Sequence, residues 1–127
     1  MIWMSLLLLG CPGKDDTDPS LGEPDFSLVA DQIGEGVLLS AWSNGDEAIL
    51  VGGQMGGGAA TLVRYDGDSI CYESEVAERA LWWIHGPREG EWYAVGEAGV
   101  VVHEVDGTRS REDLPVEEGV NLFGVWS

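Results

Sequence analysis

The chain has 127 residues and a formal net charge of −17, with 6 Lys and Arg against 23 Asp and Glu. Such a surface repels phosphate backbones and anionic lipid, so nucleic acid is not an expected partner, whereas cations, basic proteins and neutral glycans remain open. The acidity also has a plain alternative role, keeping an aromatic-rich chain soluble. The length admits one domain at most. Its 19 Gly and 6 Trp, with no long period-3.6 run, argue for a Gly-punctuated all-β protein over a helical bundle.

Residues Met1 to Gly10 form an apolar run that is too short to cross a bilayer, which needs about 20 residues. It fits the core of an export signal. Leu8-Leu9-Gly10-Cys11 resembles the lipobox of bacterial lipoproteins, in which the signal is cleaved before Cys and the thiol is acylated. No Lys or Arg precedes the run, which departs from that pattern. The resemblance implies residues 1–10 as a signal peptide, Cys11 as the lipidation site, and a location in the bacterial cell envelope. There the membrane itself is a partner through the lipid, on the outer membrane, in the periplasm or at the cell surface. Residues 11–25 are polar, Pro/Gly-punctuated and acidic, as a disordered tether is. Asp15-Asp16-Thr17-Asp18 lacks the ordered spacing and central Gly of a calcium loop.

Beyond the tether, residues 26–127 show internal repetition. Leu38-Leu39-Ser40-Ala41-Trp42-Ser43 returns as Leu81-Trp82-Trp83-Ile84-His85-Gly86, and again as Leu122-Phe123-Gly124-Val125-Trp126-Ser127. Ala48 to Gly53 matches Tyr93 to Gly96, and Thr61 to Gly67 matches Val100 to Gly107, each ending in Asp-Gly. A weaker fourth element follows at Ser69 to Val76 and at Thr108 to Leu114. Four short strands at a period of about 40–45 residues is the pattern of a β-propeller blade. One four-stranded sheet cannot cover both its faces, so neighbouring blades must stack. The expected fold is a partial β-propeller: blade one at about 37–76, blade two at about 80–115, and the first strand of a third at 120–127. A β-sandwich is the rival, but it does not predict three copies of one first strand. Trp42, Trp83, Val51, Val95, Leu62 and Val101 are expected between blades. Asp25 to Ala30 is expected as an outer strand that closes the ring against a blade beyond this sequence, which reads as the N-terminal part of a longer chain.

The segments Gly124-Val125-Trp126-Ser127, Trp92 to Gly99 and Val101 to Gly107 together resemble a known repeat group. It is similar to the photosystem II assembly-factor-like and kelch-like propellers common in secreted lipoproteins of myxobacterial type. The likeness covers about residues 37 to 127 and specifies a fold better than a function.

Chemistry-bearing residues are sparse. His85 and His103 are the two histidines, and both fall on repeat strands, where packing is the expected role. No His/Cys spacing suits zinc, no cofactor motif is present, and no catalytic set can be assigned. Cys71 is expected as a small buried residue of a fourth strand; a bond to Cys11 is open only if no lipid is attached. Asp66-Gly67 and Asp106-Gly107 read as hairpin turns. The Gly-rich insertion Gln54-Met55-Gly56-Gly57-Gly58-Ala59-Ala60 lacks the Lys-Ser/Thr ending of a phosphate loop. Its residues Gln54, Met55, Gly56, Gly57 and Gly58 form the candidate binding loop. The function expected is a binding scaffold for an unidentified protein or glycan rather than an enzyme. The alternative is the N-terminal part of a propeller glycosidase or lyase whose catalytic residues lie in further blades.

Overall fold

A computed structural model describes residues 28, 36–54, 58–73, 75–117 and 119–127. The signal, Cys11, the tether, Met55, Gly56, Gly57 and all of Asp25 to Ala30 except Leu28 lie outside these residues. The described chain is all-β apart from one 3-10 turn. Strands β1 (Val37–Ser43), β2 (Ala48–Gly53), β3 (Ala60–Tyr65) and β4 (Ile70–Glu73) form one antiparallel sheet in chain order. Strands β5 (Leu81–Arg88), β6 (Glu91–Gly96), β7 (Val100–Val105) and β8 (Thr108–Asp113) form a second, also in chain order. These two meanders are called unit one and unit two below.

The turns follow from local chemistry. Asn44 Oδ1 accepts the backbone N–H of Asp46 and Glu47 at 3.0 and 2.8 Å, closing β1 onto β2. Asp66 Oδ1 does the same for Asp68 and Ser69 at 3.0 and 2.7 Å, and these bonds hold its carboxyl below the usual range. At β7–β8 both central residues have positive φ, 48° at Asp106 and 77° at Gly107, as a two-residue hairpin matching the strand twist requires. Both sheets share a further irregularity. Pairing runs Leu38 to Gly52 and then Ser40 to Val51, and likewise Leu81 to Gly96 and then Trp83 to Val95. One residue, Leu39 or Trp82, is therefore bulged out of the first strand of each unit. Gly52 and Gly96 face that bulge so closely that a side chain at either would overlap the backbone of Val37 and Leu38, or of Ala80 and Leu81.

Residues directly opposite in an antiparallel pair share a sheet face. In unit one, Ile49 opposite Arg64 and Val51 opposite Leu62 share the face turned to unit two. In unit two, Trp92 opposite Glu104 and Ala94 opposite Val102 share the face turned to unit one. With Ala60, Val76, Ala77, Leu81, Ile84 and Val100 they form one buried cluster, with Trp42 packed against it. Each fully buried Leu, Ile or Val here contributes about 1.5–3 kcal/mol relative to exposure.

The bulges set the equivalence of the two units: Gly52 corresponds to Gly96, hence Val51 to Val95, Ile49 to Tyr93, Leu62 to Val101 and Arg64 to His103. The face unit one turns to unit two therefore corresponds to the face unit two turns away. The units stack head to tail. Val51 and Leu62 lie in the junction, where unit two answers with Trp92, Ala94, Val100 and Val102. Trp83, Val95 and Val101 occupy its other face, where Trp83 is 43% exposed. Cys71 corrects the sequence reading: it is exposed, on a strand that among the described residues has only β3 beside it.

Segment 120–127 pairs with no strand but lies against unit two's other face. Leu122 N–H donates to the Gly96 carbonyl at 2.9 Å, and Phe123 meets Trp82 edge-on at 4.7 Å. Trp126 stacks on His85 at 4.3 Å, and Ser127 Oγ lies 3.1 Å from His85 Nδ1. His85 corresponds to Trp42, whose indole lies against Gly86 of β5. The contact that β5 makes with unit one is thus repeated by 120–127 on unit two.

Candidate functional site: a charged cleft between the units

At the end of the junction where β2 begins and β3 ends, apolar packing gives way to a cleft of about 500 Å³. Its centre is Glu104, 5% exposed and the only buried charged residue among those described. The preceding residues Val100 and Val102 are buried on the same face, so strand alternation places Glu104 among them. A carboxylate there must be paired to remain charged. Glu104 accepts from Arg64 Nη2 at 2.6 Å, from Arg109 Nε and Nη2 at 3.1 and 2.7 Å, and from Trp92 Nε1 at 3.2 Å. Arg109 stands opposite it across β7–β8, whereas Arg64 reaches it from the other unit.

Two further carboxylates complete the network. Glu73 binds Arg64 Nε through one oxygen and Arg109 Nη2 at 2.7 Å through the other. Glu47, next to the Asn44 turn, binds Arg64 Nη1 at 3.1 Å. Both guanidiniums lie over the Trp92 ring, at 5.9 Å for Arg64 and 5.5 Å for Arg109, within cation–π range. Burial pushes the Glu73 carboxyl up, but hydrogen bonds and charge from Arg64 and Arg109 outweigh it and hold Glu73 below the usual carboxylate range. Burial likewise opposes the Arg64 charge, and its bonds to Glu73, Glu104 and Glu47 raise its pKa further above the ordinary value. Trp42, Gly90, Asp106 and Gly107 form the remaining wall.

The same design recurs on the far face of unit two in weaker form. Glu91 Oε1 lies 3.2 Å from His103 Nε2, as Glu47 pairs with Arg64, and His103 stacks flat on Tyr93 at 3.9 Å. The His103 contact, followed by Arg88, holds the Glu91 carboxyl below its usual range. Beside it, Trp83, Phe123, Gly124, Val125 and Trp126 line an apolar recess of about 350 Å³.

Sequence reasoning places the candidate loop elsewhere. Gln54 and Gly58 lie at the opposite end of β2 from Glu47, the length of a six-residue strand away, roughly 20 Å at about 3.3 Å per residue. The structure brings His85 and His103 to the far face of unit two, each against an aromatic ring. None of Glu47, Arg64, Glu73, Glu104 or Arg109 stands out as a motif; the available signal is the scarcity of Arg in a chain with only 6 basic residues. Among the described residues no group of three His, Cys, Asp or Glu is placed to hold a metal ion, and no helix is long and apolar enough to cross a membrane. In its chemistry, the cleft is a preorganised array of hydrogen-bonding groups in which the carboxylates at its centre are already committed to arginines. The chain matches no protein-family model, no curated protein and no solved structure with which it was compared. What the geometry defines is an all-β protein of two head-to-tail four-stranded meanders with a charged cleft at their junction.

Proposed function

We propose that this chain is a lipid-anchored β-propeller scaffold of the bacterial cell envelope that binds its ligand in the cleft between successive units. The observation that carries this reading is the head-to-tail stacking. A junction that joins unlike faces leaves one face always ready for another unit, which is the relation a ring of blades needs and a closed two-sheet sandwich does not. Segment 122–127 repeats the first strand and takes on unit two the place β5 takes on unit one, so it is read as the opening of a third blade. Binding is favoured over catalysis because the carboxylates at the cleft centre hold arginines, and a depressed Glu73 is a poor proton donor. The lipid on Cys11 supplies the location, since each buried CH₂ of an acyl chain adds about 0.8 kcal/mol of membrane affinity.

Fractionation of cells expressing the parent and a Cys11→Ala variant tests the anchor. The parent is expected in the membrane fraction and the variant in the soluble fraction. Equal retention of both in the membrane removes the lipid anchor from the reading.

A further inference from the structure

We infer that the cleft between the units takes a neutral, polyhydroxylated ligand, a saccharide, in preference to a cation or an anion; this rests on the scaffold reading above. The inference comes from the hydrogen-bonding capacity left over once the network is formed. A guanidinium carries five N–H donors. Arg64 commits Nε and one donor each of Nη1 and Nη2, and Arg109 commits Nε and Nη2. One N–H on each Arg64 terminal nitrogen and both on Arg109 Nη1 carry no bond within the network. On the acceptor side, one oxygen of Glu47 and the carboxylate of Asp106 have no partner at the cleft wall among the described residues.

Donors and acceptors of opposite charge are thus interleaved over one small surface. The lining holds four carboxylates against two guanidiniums. Glu47, Glu73 and Glu104 are already paired with those guanidiniums, which also cover the Trp92 face, so a cation has to displace an arginine to reach them. An anion meets Glu47, Glu73, Glu104 and Asp106. A ring of hydroxyls meets neither penalty, because each hydroxyl both donates and accepts. The half-buried Trp42 indole supplies an apolar wall, complementary to the C–H face of a sugar ring. The volume of about 500 Å³ lies within the range of small-molecule sites.

The test titrates the full chain with three probes: neutral oligosaccharides built on glucose, galactose and N-acetylglucosamine, a Lys/Arg-rich peptide, and inorganic phosphate. The readout is the indole N–H resonance of Trp42 and the Kd at low and high salt. A neutral oligosaccharide is expected to shift Trp42 saturably, with Kd changing by less than about twofold with salt because no net charge is screened. Trp42→Leu, followed through the Trp92 indole N–H at the same cleft, is expected to weaken that binding about tenfold or more, since the stacking wall is lost. Glu47→Ala, at the cleft mouth and clear of the core, is expected to weaken it about three- to tenfold and keeps the test valid if Trp42→Leu fails to fold. Saturable, strongly salt-dependent binding of the peptide or of phosphate with no oligosaccharide response overturns the saccharide and leaves the scaffold reading standing. No Trp42 response to any probe overturns both.

Discussion

Glu104→Ala removes the buried carboxylate of the network that bridges both units. The variant loses bonds from Arg64 at 2.6 Å, from Arg109 at 2.7 and 3.1 Å, and from Trp92 Nε1 at 3.2 Å. Hydrogen bonds to charged groups contribute about 1.5–3 kcal/mol each, and an orphaned buried donor costs about 1–3 kcal/mol. Two factors reduce the total. The Arg64 and Arg109 side chains keep 21% and 25% exposure, so water re-solvates them in part, and Glu73 still binds both. A net loss of about 2–4 kcal/mol follows. For a described domain of this size that lowers Tm by roughly 10–20 °C. The assay is urea unfolding followed by Trp fluorescence, with the slope unchanged and the midpoint lowered. Arg111→Ala, which breaks the exposed pair with Asp113, serves as the control and is expected to cost less than about 0.5 kcal/mol. If Glu104→Ala costs no more than that control, the network does not hold the junction and the reasoning fails.

Other outcomes are equally direct. The Glu73 carboxyl lies below its unfolded value, so its contribution is present above that value and is lost as pH falls through the folded one; stability should be flat near neutrality and decline below about pH 5. Glu73→Gln should flatten that decline in pH-dependent urea titrations, and an unchanged profile would remove Glu73 as the cause. Gly96→Ala should cost about 3 kcal/mol or more, because the new methyl overlaps the Ala80 carbonyl and the Leu81 backbone; a thermal melt within a few degrees of the parent would contradict the tight bulge. In a Cys11→Ser background, native Cys71 should react with a thiol reagent about as fast as in the unfolded chain, and protection would contradict its exposure.

Much of this architecture is legible in the residues themselves. Gly-punctuated apolar runs mark the first three strands of each unit, only a weaker repeat signal marks β4 and β8, and Asp-Gly marks the β3–β4 and β7–β8 turns at the right places. Facing is where sequence reading slips. Aligning the units on Asp-Gly puts Arg64 opposite Glu104, whereas the bulge register puts Arg64 opposite His103, one residue out of phase. In a strand a one-residue offset moves a side chain to the other face. The repeat itself pairs Val51 with Val95 and Leu62 with Val101, so these residues hold equivalent positions in the two units, while Trp92, Ala94 and Val102, one residue out of phase, face unit one. The cleft was invisible for a related reason. Arg64 and Glu104 lie on strands of different sheets, and no local spacing connects them; only the stacking does. Cys71 misleads because β4 reads as a strand but nothing in its composition reveals that it is an edge.

Head-to-tail stacking also bears on how the molecule melts. Each meander closes its own ladders with neighbours in sequence, so the units behave as sites of a one-dimensional lattice, each with an intrinsic term and a single nearest-neighbour term. The Glu104 network carries the charged share of that nearest-neighbour term, since Arg64 reaches it from one unit and Arg109 from the other. While it is intact, amide exchange in β2 and β6 should report one cooperative opening. Once it is broken, both strands should still open together but at a lower common free energy, because the apolar seam keeps the two units coupled.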